Sequence, residues 1–310
     1  MSLDRRDFLK AAAAAVPLAA ATKSKPQPDS ESLVTGLYKS LSDEQRSKIV
    51  LPFDDPLRSK VDNNWFITPH RIAKFFNADQ QAMVRDIFEG LYNPEFVEKI
   101  RYLIKHDGAG LGNYTVALFG EPGKGKFEFV LTGRHCTMRC DGDSVAGQAF
   151  GGPIFYGHQA GPDDEEKPDH PDNVFWYQAK RVNEVFQALN GKQRSMALVE
   201  RPHRVEKATD TIARAAKSDG MPLTELTRDQ RGLVENVLAD LLKPFRSRDA
   251  EETMKLIRSG GGVQALNLAF YKNADLGGDG VWDVWQIESP KMIWYFRGKP
   301  HVHVWLDVKA

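Results

Sequence analysis

The sequence predicts an α+β fold made of two pseudo-repeated halves, and three observations predict it. A short helix-start pattern occurs four times, the copies form two pairs with nearly equal spacing, and each pair precedes a group of β-rich segments. We therefore expect each half to consist of capped helices followed by an antiparallel β-meander. The half-repeats lie at about 36–150 and 180–310, and we expect them to pack as a single domain over 36–310.

The composition indicates a folded chain without a strong electrostatic preference. The 310 residues are 41% hydrophobic and 27% charged, which is enough apolar surface for a packed core. Lys plus Arg and Asp plus Glu both number 42, so no net field favours nucleic acid. Two cysteines are too few for a disulfide scaffold or a thiolate zinc cluster. No apolar run reaches the roughly 18 residues of a membrane span, so we expect no stable membrane insertion.

The helix-start pattern has an apolar residue, then Ser, Thr or Asn, then Gln three positions further on. This spacing is typical of a capping box preceded by a hydrophobic residue. The copies begin at Leu41, Phe76, Leu189 and Leu226, and the offsets from first to second half are 148 and 150 positions. Near-equal offsets favour a duplicated unit, although capping boxes are common enough for the pattern to arise without one.

The β-rich segments follow each pair of helix starts and are bounded by Gly and Pro, as in hairpins. They lie at 114–119 and 127–131 in the first half and at 266–271, 281–287 and 292–296 in the second. The offset between His135 and His301 grows to 166, which indicates one extra strand before the second histidine. Two such halves pack most simply about a pseudo-twofold axis with their last strands close together.

The first 21 residues predict export from the cytoplasm. Asp4–Lys10 resembles the twin-arginine signal, and an alanine-rich run with small residues at Ala19 and Ala21 follows it. The polar stretch 22–35 is typical of a linker. We therefore expect the twin-arginine export machinery as a partner and a periplasmic or extracellular mature protein. The alternative is a short alanine-rich starter helix.

Three histidines are the main candidates for metal ligands. His301 and His303 alternate along a β-rich run, so a strand would place both imidazoles on one face. His135 is their expected counterpart in the first half, and a twofold arrangement would bring it close to them. Three imidazoles plus water would form an open site for copper, zinc or iron. His158, in a Gly/Pro-rich turn, is the candidate fourth ligand.

Other polar residues near these histidines are candidates for catalysis or for orienting the ligands. Arg134, Arg139 and Tyr295 could hold a substrate anion or take part in the reaction. Glu128 and Asp307 could orient an imidazole from behind. Together these residues predict an exported, His-ligated metal-binding protein. We expect it to be an enzyme, either a hydrolase or an oxidoreductase, of unknown substrate. The substrate would be a small molecule or a carbohydrate.

The glycine-rich loop Gly120–Phe127 nearly matches a phosphate-binding loop. Phe127 replaces the hydroxyl residue that such loops require, and a strand follows where a helix is needed. We therefore interpret the loop as a β-hairpin turn and expect no nucleotide cofactor.

A non-catalytic envelope binding protein is the alternative function. Its evidence is a group of C-terminal tryptophans at positions 282, 285, 294 and 305. If exposed on the strands, these rings could stack on carbohydrate or contact a partner. If buried, they belong to the core of the second half.

Four sequence elements together resemble a known family. They are the run from Leu41 to Phe53–Pro56, the Gly133–His135 element, the segment Leu189–Arg194 and the closing His301–Asp307. These elements resemble the exported domain of unknown function family numbered 3500, over residues from about 36 to the end. Members of that family typically have Gly-His-His at the first element and His-x-His near the C-terminus. Here Arg134 stands in place of the first of the two adjacent histidines. The resemblance implies the extent of the domain and no particular activity.

Overall fold

A computed structural model describes residues 29–159, 173–272 and 280–310, and within them the fold is mixed α+β. The predicted export signal, residues 1–21, lies outside the described residues. The helices are α1 (Ser30–Ser40), α2 (Asp43–Ile49), α3 (Ile72–Phe75), α4 (Ala78–Glu89), α5 (Pro94–Asp107), α6 (Tyr177–Ala188), α7 (Gly191–Ala197), α8 (Arg228–Leu241) and α9 (Ser247–Ser259). None of the helices in these ranges is both long and apolar enough to cross a membrane.

The strands form one mostly antiparallel sheet. They are β1 (Val50–Leu51), β2 (Thr115–Gly120), β3 (Phe127–Gly133), β4 (Cys136–Cys140), β5 (Ile154–His158), β6 (Leu198–Val199), β7 (Met221–Pro222), β8 (Asn267–Tyr271), β9 (Val284–Ser289), β10 (Met292–Arg297) and β11 (Val302–Val308). Their order is β1-β2-β3-β4-β5-β11-β10-β9-β8-β6, and β7 pairs with β8. Gly120 is paired with Phe127 across β2 and β3, so the glycine-rich loop is the predicted hairpin turn.

The sheet is covered on both faces, and this explains why its strands are buried nearly throughout. The alternation of side chains sends one set of strand residues into the main core against the helices. The other set packs beneath two largely irregular segments, 52–71 and 200–226, which contribute Val61, Trp65 and Ile212 to two smaller cores. Of the metal-ligand candidates, His135, His301 and His303 lie on this second face.

The domain begins earlier than the sequence predicted. The linker expected over 22–35 is wrong from Ser30 onward, because α1 starts there with Asp29 as its N-cap, accepting a hydrogen bond from the Ser32 amide at 2.7 Å. Val34 and Leu37 of α1 are fully buried in the main core. Two buried residues one turn apart are enough to dock a helix whose composition is otherwise polar.

All four predicted capping boxes are present, and within each half they bond to each other. In the first half the side-chain amide of Gln45 donates to Oε1 of Gln80 at 2.9 Å, and Gln80 donates to the Ser40 carbonyl at 3.0 Å. In the second half Gln193 donates to Gln230 at 3.0 Å. The glutamines therefore cap their own helices and also join two helix starts.

The two halves contribute strands to the sheet in matching order, read from the two edges toward the centre. Their duplication from one ancestral unit stays a prediction. His135 follows two strands of its meander, β2 and β3, whereas His301 follows three, β8 to β10. The larger offset between the histidines has this cause, which agrees with the extra strand predicted before His301, and their relation as counterparts stays a prediction with the duplication.

We expect Gln80→Ala to lower the free energy of unfolding by about 1–2 kcal/mol, because it removes the capping bond to the exposed Asn77 amide and the bonds that the buried Gln80 makes to Gln45 and to the Ser40 carbonyl. Urea unfolding measures the change. Gln187→Ala, at an exposed helical position, is the control and should change stability little. Equal effects of the two substitutions would show that the glutamine pair contributes nothing specific.

Candidate metal centre

The structure brings His135, His301 and His303 together with their Nε2 atoms facing one another. Nε2 of His301 lies 3.2 Å from Nε2 of His135 and 2.9 Å from Nε2 of His303. All three residues are buried, and one potential ligand atom from each lies within 4.8 Å of the others. His135 and His301 retain 8% exposure each, so the cluster is close to solvent. Three buried histidines in this arrangement could bind a metal ion.

A tight turn between β3 and β4 positions His135. The sequence predicted His135 as the first residue of a strand, but β4 starts at Cys136 and His135 has a left-handed backbone, with φ of 49°. Its amide donates to the Asn63 carbonyl at 2.9 Å. Gly133 precedes the turn because a Cβ there would lie 2.2 Å from the ring of Tyr114. The hydroxyl of Tyr114 in turn donates to the Arg134 carbonyl at 2.8 Å, which ties the turn to β2.

The centre of the sheet positions the other two histidines. His303 lies on β11, opposite Gly157 of β5 and opposite Arg297 of β10. His301 immediately precedes the strand, and its ring meets that of His303 at a centroid distance of 4.7 Å. The prediction that the two imidazoles share one side of the chain is therefore confirmed.

Two carboxylates that the sequence analysis missed hold the outer nitrogens of the cluster. Nδ1 of His303 is 2.6 Å from Oε2 of Glu206, and Nδ1 of His135 bonds Oδ2 of Asp107. A carboxylate accepts a hydrogen bond from Nδ1–H and thereby leaves the Nε2 lone pair available for a metal. Asp107 is the last residue of α5, an unfavourable place for a negative charge at a helix C-terminus. That position is the one sequence signal that could have indicated it.

Each carboxylate also contacts an arginine. Nε of Arg134 donates to Oδ1 of Asp107 at 2.8 Å, and Nε of Arg297 lies 3.0 Å from Oε1 of Glu206. Burial alone would raise the pKa of Asp107, but the hydrogen bonds from His135 and Arg134 and the positive charge of Arg134 outweigh it and lower this pKa. Each carboxylate thus lies between an arginine and a histidine of the cluster.

Burial lowers the pKa of His303 well below its ordinary value, and the positive charge of Arg297 lowers it further. His303 is therefore neutral at neutral pH, with its Nδ1 proton directed to Glu206 and its Nε2 lone pair directed to the cluster. Lone pairs converging at about 3 Å repel one another unless a cation or a shared proton lies between them.

The structure does not bring His158 to the cluster. His158 pairs with Val302 across β5 and β11, and paired residues point to the same face. Its fully buried ring therefore lies on the helix-covered face, 6.0 Å from the ring of Phe175, while His303 lies on the opposite face. The register explains why this candidate ligand is separated from the other three.

The remaining candidates have other partners. Arg139 is buried and donates to Glu128 at 2.7 Å and to the carbonyls of Pro153 and Lys60 at 2.6 and 2.5 Å. Neither Arg139 nor Glu128 contacts a histidine of the cluster in these bonds, so they contribute to stability. Asp307 accepts from Arg214 at 2.5 Å and does not orient an imidazole.

Tyr295 lies near the centre, but its ring does not pack against the rings of the three cluster histidines. Its ring stacks on His203 with centroids 3.8 Å apart, and burial raises the pKa of its hydroxyl well above the ordinary value. Trp285, Trp294 and Trp305 are each 0% exposed, so they pack in the cores. Rings without an exposed face cannot stack on carbohydrate, and the fourth tryptophan of the group, Trp282, is partly buried against the main core. The alternative function, a non-catalytic binding protein, stays a prediction.

We expect Arg139→Met to lower the free energy of unfolding by about 3–5 kcal/mol, because it leaves Glu128 buried beside only one remaining arginine, Arg58. Denaturant unfolding measures the loss, and exposed Arg228→Met is the control. A stable Arg139→Met variant that has lost a specific activity would instead favour the catalytic role considered from the sequence.

The chain is thus an α+β protein with a buried three-histidine cluster that could bind a metal ion. It belongs to a family described as proteins of unknown function, DUF3500, whose pattern matches residues 24–305, nearly the whole chain. The family predicted from the sequence is therefore confirmed. Neither the curated proteins nor the solved structures provide a match to this chain.

Proposed function

We propose that the protein is an exported metalloenzyme whose single metal ion is bound by His135, His301 and His303. The observation that carries the proposal is the convergence of three Nε2 atoms whose rings are held from behind by Asp107 and Glu206. Export stays a prediction from the first 21 residues, and the reaction class stays open between hydrolysis and oxidation.

The spacing of the nitrogens supports a tetrahedral ion. Zinc–nitrogen bonds of 2.0–2.1 Å in tetrahedral geometry separate two ligand nitrogens by about 3.3 Å. The distances of 3.2 and 2.9 Å in the cluster are close to this value before any ion draws the rings into place. Three imidazoles without a carboxylate ligand suit zinc or copper better than the two-histidine, one-carboxylate set of many iron oxygenases. Zinc is accordingly the favoured ion.

The charges around the cluster support an electrophilic centre. Asp107 and Glu206 are each paired with an arginine, so the carboxylates do not neutralise a bound cation. A divalent ion held by three neutral histidines would retain its full charge, and the exposed fraction of His135 and His301 leaves room for water or substrate. A metal in such a site acts as a Lewis acid and lowers the pKa of a bound water.

The protein's own residues would keep the site organised. Asp107 and Glu206 fix the tautomers and orientations of their imidazoles, and Arg134 and Arg297 contact the carboxylates and hold them in place. Arg134 is also 40% exposed, so it remains accessible to a substrate anion beside the centre.

We expect the mature protein, purified after native export, to contain about one zinc or copper ion per chain. His301→Ala/His303→Ala should remove it, because one remaining imidazole cannot hold an ion at this site. Elemental analysis measures the metal, and the intact mass of the same sample tests cleavage of the signal. His70→Ala/His106→Ala, two histidines outside the cluster, is the matched control.

Activity assays on the same proteins separate the reaction classes. Hydrolysis of activated esters or phosphate esters by the metal-loaded protein, absent in the cluster variant, would favour a hydrolase, and dioxygen consumption with copper an oxidoreductase. Absence of metal in every preparation, together with no zinc uptake in a titration against a competing chelator, would overturn the proposal. The cluster would then be a shared-proton arrangement.

We expect Asp107→Asn and Glu206→Gln each to weaken metal affinity by about 10- to 100-fold while the protein remains folded. The reason is that each amide keeps the shape of the side chain but removes the charge behind an imidazole. Chelator competition measures affinity, and exposed Asp229→Asn is the control. Affinities equal to that of the control would show that the carboxylates do not support metal binding.

A further inference from the structure

A cleft of about 470 Å³ lies beside the candidate metal centre and is separate from it. Its walls include Arg204, Val205, Glu206, Tyr295, Arg297 and Lys299, and none of the three cluster histidines lines it. Glu206 stands between the two sites, since it bonds Nδ1 of His303 on one side and contacts the cleft on the other. The cleft is therefore connected to the candidate metal centre through Glu206.

The cleft has an excess of positive charge. Arg204, Arg297 and Lys299 supply three cations, and among the described residues that line the cleft Glu206 is the one carboxylate. Burial lowers the pKa of His203, so this ring adds no charge at neutral pH. Because the whole chain has no net charge, the imbalance is local to this surface.

The three cations differ in how far contacts within the protein occupy them. Arg204 is anchored by the carbonyls of Thr211 and Ala213, the latter at 2.8 Å, which holds its charge in place. Lys299 is exposed at the rim. Arg297 is paired with Glu206, which is also bonded to His303, so an incoming anion would share Arg297 with that carboxylate.

The remaining walls are apolar or aromatic. Val205 is 78% exposed, the largest exposure among the large hydrophobic residues of the described chain, and it borders the cleft together with Tyr295 and its stacked neighbour His203. Pockets for small organic ligands combine apolar walls with a few polar or charged groups that fix the ligand's orientation. The cleft volume exceeds what a bare inorganic ion would fill.

We propose that this cleft binds a small organic anion through a carboxylate or phosphate group, held by Arg204, Arg297 and Lys299, with its apolar part against Val205 and Tyr295. Arginine pairs with both kinds of oxyanion in bidentate geometry. The proposal does not rest on the presence of a metal in the neighbouring cluster. Where a metal is bound, occupation of the cleft would act on it through Glu206.

Calorimetric titration with benzoate and phenyl phosphate tests the proposal, with benzyl alcohol as the uncharged probe. We expect at least one anion to bind and the alcohol not to bind, with weaker binding at higher salt. The two anions distinguish a carboxylate from a phosphate ligand. The purified protein is used both as isolated and after dialysis against a chelator, and binding should be present in both forms.

Three variants locate the bound anion. Lys299→Glu reverses one charge of the cleft, and Val205→Glu adds a negative charge to it, both at exposed positions. Each should weaken anion binding by about tenfold or more. Lys192→Glu, on an exposed helical position remote from the cleft, should leave it unchanged. Circular dichroism confirms that all three remain folded.

Two results would overturn the proposal. One is the absence of binding by both anions at millimolar concentration. The other is binding that disappears with the chelator or is unaffected by Lys299→Glu and Val205→Glu, which would place the anion on the metal or elsewhere. If anion binding requires the metal, the cleft proposal is wrong and the metalloenzyme proposal is supported. If the anion binds in the cleft of a protein that takes up no metal, the cleft proposal is supported and the metalloenzyme proposal is wrong.

Discussion

The antiparallel pairing of β5 with β11 is the constraint on which the rest of the structure depends. It joins the last strand of each half, extends two small meanders into one sheet and places His303 at the centre of that sheet. A one-residue shift of this register would move His303 to the helix-covered face and bring Val302 to the cluster face. The same register keeps His158 away from the cluster. The same strand pairing therefore joins the two halves and brings His303 to the candidate centre.

Around that pairing, segments distant in the sequence supply the parts of the centre. The β3–β4 turn contributes His135, the end of α5 contributes Asp107, and the irregular segment 200–226 contributes Glu206. Each isolated part is unfavourable, since it would be a left-handed histidine, a carboxylate at a helix C-terminus or a glutamate largely removed from water. They offset one another only when assembled, and arginines on both sides complete the charge balance. A bound cation would add the remaining stabilisation for the converging nitrogens.

Glu206 also connects the cluster with the neighbouring positively charged cleft. Its two oxygens face different partners, Nδ1 of His303 and the guanidinium of Arg297. Any change in what Arg297 contacts will therefore alter the electrostatic environment of His303. The segment 200–226, which has little regular secondary structure, therefore contacts the candidate centre through Glu206 as well as covering the second face of the sheet.

The sequence alone determined the α+β class, the family, the four helix starts and the candidate ligand pair His301 and His303, because these depend on short motifs and local spacing. His135 was predicted from the expected meeting of the two halves. A capping box requires only residues three apart, and alternation along a strand is local, so Gln45, Gln80 and the pair His301 and His303 could be predicted. The tertiary structure alone decided that Asp107 and Glu206 support the imidazoles, that Arg139 is structural and that His158 faces away. Those outcomes depend on strand register and on contacts between segments up to 97 residues apart, as for Glu206 and His303. Local spacing carries no information about such contacts, because the sheet order is set by the packing of the whole chain.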